Sequence, residues 1–434
     1  MELLDFTHTW VGYLSLIIFI VSYYFIAREE AYHLNKAKPA LFAGTSMFII
    51  IGIYFVLNGL DTQLLKLETE KLIIEISEIF FFLLVAMTYI EVMTNRGVFE
   101  VLQRKLFYHK FTYKQLFWIL GLLAFFISPI ADNLTTALIL STVALSISKN
   151  PKIIVPIAII IVVGANSGGA WSPFGDITTL MTWTSGKASF GEFLLLFFPS
   201  FIGFLTTAFL LSIFIPNTIP ESKTKIVNVS LKPGAKKVIF LGLFTIFISV
   251  VIHNYFDIPA MWGMMFGLSL LHLLSYHSNK LHRDLSFNVY KNIKRTEIDT
   301  LLFFFGILSI IGALDFLGYL KYITNFYDYF GFFNSNIIIG LLSSVVDNIP
   351  VMSAVLKSDI DMDTINWLML TLTVGIGGSL ISFGSAAGIG VMGKMKGIYT
   401  FSSHMRYFSI ILLGYFVSIG VFYIEFYLLN ILQK

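Results

Sequence analysis

The chain is dominated by apolar segments, each near the length that carries an α-helix across a bilayer, at residues 10–27, 40–59, 73–94, 155–184, 192–215, 237–253, 259–277, 299–314, 365–393 and 405–428. A crossing helix needs about 20 such residues. In lipid each backbone N–H and C=O must be satisfied within the segment, so these ten stretches predict an all-α polytopic membrane protein. Composition agrees, with 56% of residues hydrophobic and 13% charged, against about a quarter charged in soluble domains. No stretch of mixed composition is long enough to fold alone as a soluble domain. The run 10–27 follows no basic segment and precedes no small-residue cleavage site, so it is expected to stay as a helix rather than be removed as a leader.

Charge placement sets the orientation. Of 29 lysines and arginines, 23 fall in the segments 28–39, 95–114, 148–153, 216–237, 278–298 and 394–406. With ten crossings and both termini outside, all six segments lie on the cytoplasmic side, as the positive-inside rule requires. The compact loops fit a plasma (inner) membrane. The chain has no cysteine, which excludes disulfides, iron–sulfur clusters and thiolate metal sites. Its eight histidines lie mostly at segment ends, which disfavours haem inside the bilayer. No cofactor, no enzymatic chemistry and no nucleic-acid partner are expected; the lipid bilayer is the surrounding partner.

Two further stretches break in the middle. Residues 115–147 form two apolar arms meeting at Pro129-Ile130-Ala131-Asp132-Asn133, and residues 326–357 repeat this around Asp347-Asn348-Ile349-Pro350. Each reads as a re-entrant hairpin, the first opening from the cytoplasm and the second from outside. Irregular backbone at membrane depth is tolerated where protein or a wet cavity covers it. The halves also repeat: Gly168-Gly169 with Phe174-Gly175 falls, 209 positions on, at Gly377-Gly378 with Phe383-Gly384. This predicts two inverted repeats of five crossings each, residues 1–215 and 237–434, each with a hairpin and a broken helix, joined by a cytoplasmic linker at 216–236. Inverted repeats with paired helix breaks are a construction of secondary transporters, and the breaks point to the binding site.

The residues at those breaks are oxygen donors. At the first hairpin tip Pro129 supplies no amide hydrogen, which leaves carbonyls and the oxygens of Asp132, Asn133 and Thr135 free to face a cation. The helix 155–184 is interrupted at Gly164-Ala165-Asn166-Ser167-Gly168-Gly169-Ala170-Trp171-Ser172-Pro173-Phe174-Gly175-Asp176-Ile177-Thr178-Thr179, which offers Asn166, Ser167, Ser172, Asp176, Thr178 and Thr179. Capping is the structural alternative for Asp132, but a carboxylate at the centre of a spanning helix costs about 2.5 to 3.5 kcal/mol on insertion scales, so ion binding is the favoured reading there. Small-residue packing accounts for Gly164 and Gly168 as well as an ion site does, but it does not explain Asp176. The second repeat supplies Asp347, Asn348, Gly378, Ser379 and Ser385, with Ser385 where the first has Asp176. The principal site is therefore expected in the first repeat, with Na⁺ at Asp132 and Asp176. Glu78, in the third apolar segment, is the candidate for a proton path, whereas Glu91 lies near the cytoplasmic interface.

On Asp132-Asn133-Leu134-Thr135-Thr136, Gly168-Gly169-Ala170-Trp171-Ser172-Pro173, Gly175-Asp176-Ile177-Thr178-Thr179 and Asp347-Asn348-Ile349-Pro350, the sequence resembles the NhaD-type sodium/proton antiporters of the ion transporter superfamily. The resemblance spans roughly residues 75 to 395. It implies exchange of Na⁺ or Li⁺ for H⁺ by an elevator-like displacement, in a homodimer with scaffold and transport domains. Carried over by position, the ion site would use Asp132, Asn133, Asn166, Asp176, Thr178 and Thr179, with Glu78 and Asp347 in support. The competing expectation is a sodium-coupled carboxylate or arsenite-type anion transporter of the same superfamily, which an aspartate at the hairpin tip disfavours unless sodium neutralises it.

Overall fold

The computed structural model describes residues 5–32, 34–108, 111–220, 230–282, 287–358 and 360–429, and every regular element among them is helical. In chain order the α-helices are α1 (Trp10–Ala27), α2 (Glu29–Tyr32), α3 (Ala37–Leu57), α4 (Thr62–Asn95), α5 (Val98–Tyr108), α6 (Tyr113–Ala131), α7 (Asn133–Ile147), α8 (Pro151–Gly169), α9 (Ile177–Thr184), α10 (Phe190–Phe193) and α11 (Phe197–Ser212). The second half holds α12 (Ala235–Phe256), α13 (Met261–His282), α14 (Val289–Ile293), α15 (Ile298–Phe316), α16 (Lys321–Val346), α17 (Asn348–Lys357), α18 (Thr364–Gly377), α19 (Ala386–Lys394), α20 (Phe401–Met405) and α21 (Phe408–Tyr423). Part of the expected linker, residues 221–229, lies outside the described residues.

Local chemistry fixes the starts of these helices. Thr9 accepts from the Gly12 amide ahead of α1 and Asp61 from Gln63 ahead of α4. Thr112 and Gln115 close a capping box on α6, and Asn150 caps α8 with Pro151 in its first turn. These satisfy amides that no intrahelical carbonyl can reach. Among the described residues, ten helical stretches are long and apolar enough to cross a membrane, so the chain is a multi-pass membrane protein.

The ten differ from the ten apolar segments in an instructive way. The outer arms α6 and α16 have 19 and 26 residues and qualify on length. Gly331, at φ 73° and ψ 161°, breaks α16, so the arm of the second hairpin proper starts after it rather than at 326. α4 runs 34 residues, well beyond the apolar stretch 73–94. α5, within a segment expected to be loop, lays Val98, Val101 and Leu102 along a cavity shared with α4, α12 and the first hairpin.

Packing sorts the helices into two groups. α1, α3, α4, α12, α13 and α15 pack on one another, and α6 to α9, α11, α16 to α19 and α21 pack on one another. α3 and α15 approach closely enough that a Cβ on Gly44 would lie 2.7 Å from the Gly306 carbonyl oxygen. The groups meet where α17 lies against α15 and α6 against α4. α8 is the buried axis of the second group, with every residue from Ile153 to Gly169 buried.

Candidate functional site

The two hairpins carry the same backbone device at their tips. Asp132 separates α6 from α7 and Asp347 separates α16 from α17, with φ of 52° and 71°; the only other described non-glycine residue with positive φ is Asp257. Such backbone is uncommon outside glycine and clusters at functional sites. Each hairpin is also stitched to its broken helix by the same contacts. Ser128 Oγ donates to the Ala165 carbonyl at 2.6 Å, and Ser343 Oγ to the Val374 carbonyl at 3.0 Å. A Cβ on Gly168 would lie 2.2 Å from the Phe125 carbonyl oxygen, and one on Gly377 would lie 2.1 Å from that of Gly340. Glycine is required at both places because a backbone passes where a side chain would start.

The broken helices unwind between α8 and α9 and between α18 and α19, and their breaks meet at Asn166. This buried amide donates to Ser379 Oγ at 2.9 Å and Ser385 Oγ at 2.8 Å, so one side chain bridges the two breaks. Its Oδ1 accepts from Asn133 Nδ2 at 3.1 Å. Asn133 Nδ2 also donates to Asp176 Oδ2 at 2.7 Å, and Asn348 Nδ2 reaches the same oxygen at 3.0 Å. The asparagine that follows each tip aspartate thus points at one carboxylate. Asp176 Oδ1 accepts from the Thr178 amide at 3.2 Å, and Thr179 Oγ1 donates to the Asp176 carbonyl at 2.6 Å, which fixes the carboxylate at the start of α9.

Asp176, Asn133, Asn166, Ser167, Thr178, Thr179, Asn348, Ser379 and Ser385 are all buried. Within this group Thr178 Oγ1 and Asn348 Oδ1 are buried oxygens without a protein hydrogen-bond partner, as is Asp347 Oδ1. Unpartnered buried oxygens cost free energy and require a physical reason. A carboxylate with hydroxyl and amide oxygens around it is the donor set of a hard monovalent or divalent cation.

The remaining expected residues fall as follows. Asp132 is turned from this group: its Oδ1 accepts from the Thr135 amide and its Oδ2 from Thr135 Oγ1, both at 2.8 Å, so it caps α7. No hydrogen bond joins it to Asp176, and its neighbour Asn133 makes that contact instead. Ser172 Oγ donates to the Pro129 carbonyl at 2.8 Å and ties the break to the first hairpin. Gly378 packs its Cα where a Cβ would meet the Gly384 carbonyl oxygen at 2.9 Å. Glu78 is half-buried on α4, with no hydrogen bond or ion pair among the described residues. Glu75, one turn before it, pairs with Lys357 at the end of α17.

Two residues at the site carry no local sequence signal. Lys36 Nζ lies 3.4 Å from Asp347 Oδ2 and 4.1 Å from the centre of the Phe303 ring. His404 on α20 places Nε2 3.1 Å from the carbonyl oxygens of Ser379 and Leu380, and Nδ1 2.6 Å from the Tyr399 hydroxyl. Carbonyls only accept, so the proton sits on Nε2 and neutral Nδ1 accepts from Tyr399. Burial pushes the His404 pKa down to about 4 from its ordinary 6.5. Both contacts span long sequence separations, and only a lone basic residue in a loop marks either position.

Residues 15–375 match the CitMHS family, described as Citrate transporter. The chain is 44% identical to the Na(+)/H(+) antiporter NhaD of Vibrio cholerae serotype O1, covering 96% of this chain and 92% of that one. It is 42% identical to NhaD of Halomonas elongata, over 96% and 89%, and 39% identical to NhaD of Alkalimonas amylolytica, over 96% and 91%.

Proposed function

The chain belongs to the CitMHS family and, at 39 to 44% identity over 96% of its length, stands with the Na⁺/H⁺ antiporters NhaD; from that premise we propose that it exchanges Na⁺ for H⁺ at Asp176. The observation that carries this reading is the buried Asp176 carboxylate with the unpartnered oxygens of Thr178 and Asn348 beside it. Asn133 and Asn348 each donate to Asp176, so protonation or cation binding at one carboxylate alters how both hairpin tips are held. Na⁺ takes oxygen ligands from Asp176, Thr178 and Asn348, with Asn166, Ser379 and Ser385 tying the second repeat to the site and Asp347 at its edge. Either ion neutralises the carboxylate, and an aspartate left ionised and empty is costly to move through lipid. That cost couples one ion to the other.

The finer reading follows the same logic. The repeats at 1–215 and 237–434, joined by 216–236, oppose one another in the membrane, a view supported by their matched hairpin contacts. The two packing groups act as scaffold and transport body, and displacement of one past the other carries the ion, an elevator-type mechanism. Li⁺ shares the site with Na⁺. The protein works as a homodimer in the plasma (inner) membrane with its termini outside, the orientation that the basic residues favour. Glu78 lies off the ion site and is kept as the candidate for a separate proton path.

The test is cation-dependent proton movement in proteoliposomes of the purified chain, with Na⁺, Li⁺ and K⁺ run separately. Na⁺ should move protons, and half-saturating Na⁺ should fall as pH rises, because both ions compete for Asp176. Succinate, citrate and arsenite, run alongside because the family is described as citrate transporters, should not be taken up. Sodium-driven uptake of any of them without proton movement would replace this reading with the anion-carrier one.

A further inference from the structure

The two tip aspartates share a backbone conformation and yet do different things. Asp132 spends both oxygens on Thr135 and caps α7, whereas Asp347 makes no side-chain cap for α17. The sequence explains the difference. The residue three positions past Asp132 is Thr135, with an amide hydrogen to give, and the residue three positions past Asp347 is Pro350, which has none. Asp347 is thereby left with one oxygen on the Lys36 ammonium and the other, buried, on no protein partner.

Lys36 belongs to the other packing group. It sits at the start of α3 with its ammonium over Phe303 of α15, the helix on which α17 of the second hairpin rests where the two groups meet. Its side chain and that of Asp347 are 14% and 6% exposed, so the pair is well shielded. A cavity of about 710 Å³, lined by Glu29, Lys36, Val345, Asp347, Phe383 and Met392 among others, reaches it from between the groups. That volume holds many waters, and an ion arriving through it meets Asp347 already paired.

Building on the exchange reading above, we infer that Lys36 is a resident cation that occupies Asp347 until Na⁺ displaces its ammonium, and that this displacement unfastens the second hairpin from the scaffold. The unpartnered oxygens of Asp347 and Asn348 are ready for an incoming ion, and the lysine is the competitor it must remove. Loss of the lysine leaves Asp347 without its counter-charge, which favours a mobile cation still more.

The experiment measures half-saturating Na⁺ in proteoliposomes for wild type, Lys36→Met and Lys36→Arg, each normalised to protein in the membrane. Lys36→Met should lower it by about tenfold, which is about 1.4 kcal/mol, while Lys36→Arg stays near wild type. Asp347→Asn placed on Lys36→Met should remove the gain. A Lys36→Met value within about twofold of wild type, or above it, overturns the inference. In wild-type protein, amine acetylation of Lys36 read by mass spectrometry should rise with Na⁺ and not with choline at equal ionic strength; labelling that is flat or falls with Na⁺ also overturns it. Absence of exchange in wild type would instead remove the reading on which it rests.

Discussion

Asp176 and Ser385 occupy corresponding positions at the starts of α9 and α19. Both cap the second half of their broken helix, Asp176 through the Thr178 amide and Ser385 through the Gly388 amide at 3.3 Å, but only one carries charge. Asp176→Asn removes the carboxylate at which the proposed exchange takes place and should lower Na⁺-dependent proton movement by roughly 100-fold, by analogy with losses at metal sites, with normal membrane insertion. Ser385→Ala deletes one acceptor of Asn166, worth about 1 kcal/mol, and should weaken apparent Na⁺ affinity by only about fivefold. Exchange at the wild-type rate in Asp176→Asn would misplace the site. His404 gives a pH dependence whose sign is fixed. The unfolded chain takes up a proton near the ordinary pKa of 6.5, and the folded one refuses it until about 4. The stability this residue contributes is complete above pH 6.5, falls as pH drops towards 4 by up to roughly 1.4 kcal/mol per unit, and levels below. Thermal unfolding in detergent across that window should show the slope, and His404→Asn should flatten it. Of these residues, Asp176 was legible because a charge inside an apolar run is conspicuous. Lys36 and His404 were not, since their partners lie 311 and 25 positions away and nothing local announces them.

The hairpin and its broken helix form the repeated element, and glycine sets how closely they pack. A methyl group on Gly168 or Gly377 would run into backbone carbonyls at 2.2 and 2.1 Å, atoms that no rotamer change can withdraw. Gly168→Ala and Gly377→Ala should each cost about 1 to 3 kcal/mol and lower the melting temperature by similar amounts. Gly420→Ala, with nothing within 4 Å of the added carbon, should leave it unchanged or raise it, as alanine favours helix over glycine. Unequal losses at 168 and 377 would mean that the repeats do not share this joint. Motif offsets and the two polar breaks made these elements readable in the sequence. Helix lengths were less so: apolar scanning stops at Glu70 and Lys71, yet α4 continues to Thr62, about 51 Å in all at the usual rise, because a helix outlasts the hydrocarbon once Asp61 caps it in water. The Gly331 break in α16 was missed for the opposite reason, since Phe330, Phe332 and Phe333 around it read as uninterrupted apolar chain.

At the scale of the whole molecule, orientation and movement make separate claims. The basic residues favour a cytoplasmic place for the segment before α12 and an outside place for the turn after it, and the chain's lack of cysteine leaves a clean background for labelling. Lys237→Cys should react with a membrane-impermeant maleimide only from the cytoplasmic face, and Tyr255→Cys only from outside. The reverse pattern would invert every side assigned here. Movement is tested by fastening the groups together. α17 is tied to the other packing group at both ends, by Lys36 on Asp347 and by Glu75 on Lys357, so the proposed displacement of one group past the other must part both pairs. A short bifunctional maleimide across Glu75→Cys and Lys357→Cys should therefore stop exchange, and cutting a reducible linker should restore it. The same reagent across Glu91→Cys and Arg295→Cys joins two positions on the scaffold side, 3.8 Å apart as an ion pair in the native chain, and should leave exchange intact. Transport that survives the first linkage would show that the ion crosses while α17 stays fastened to α4. The groups would then not slide past one another, and coupling would have to arise within the second group, around Asn166 and the two breaks it bridges.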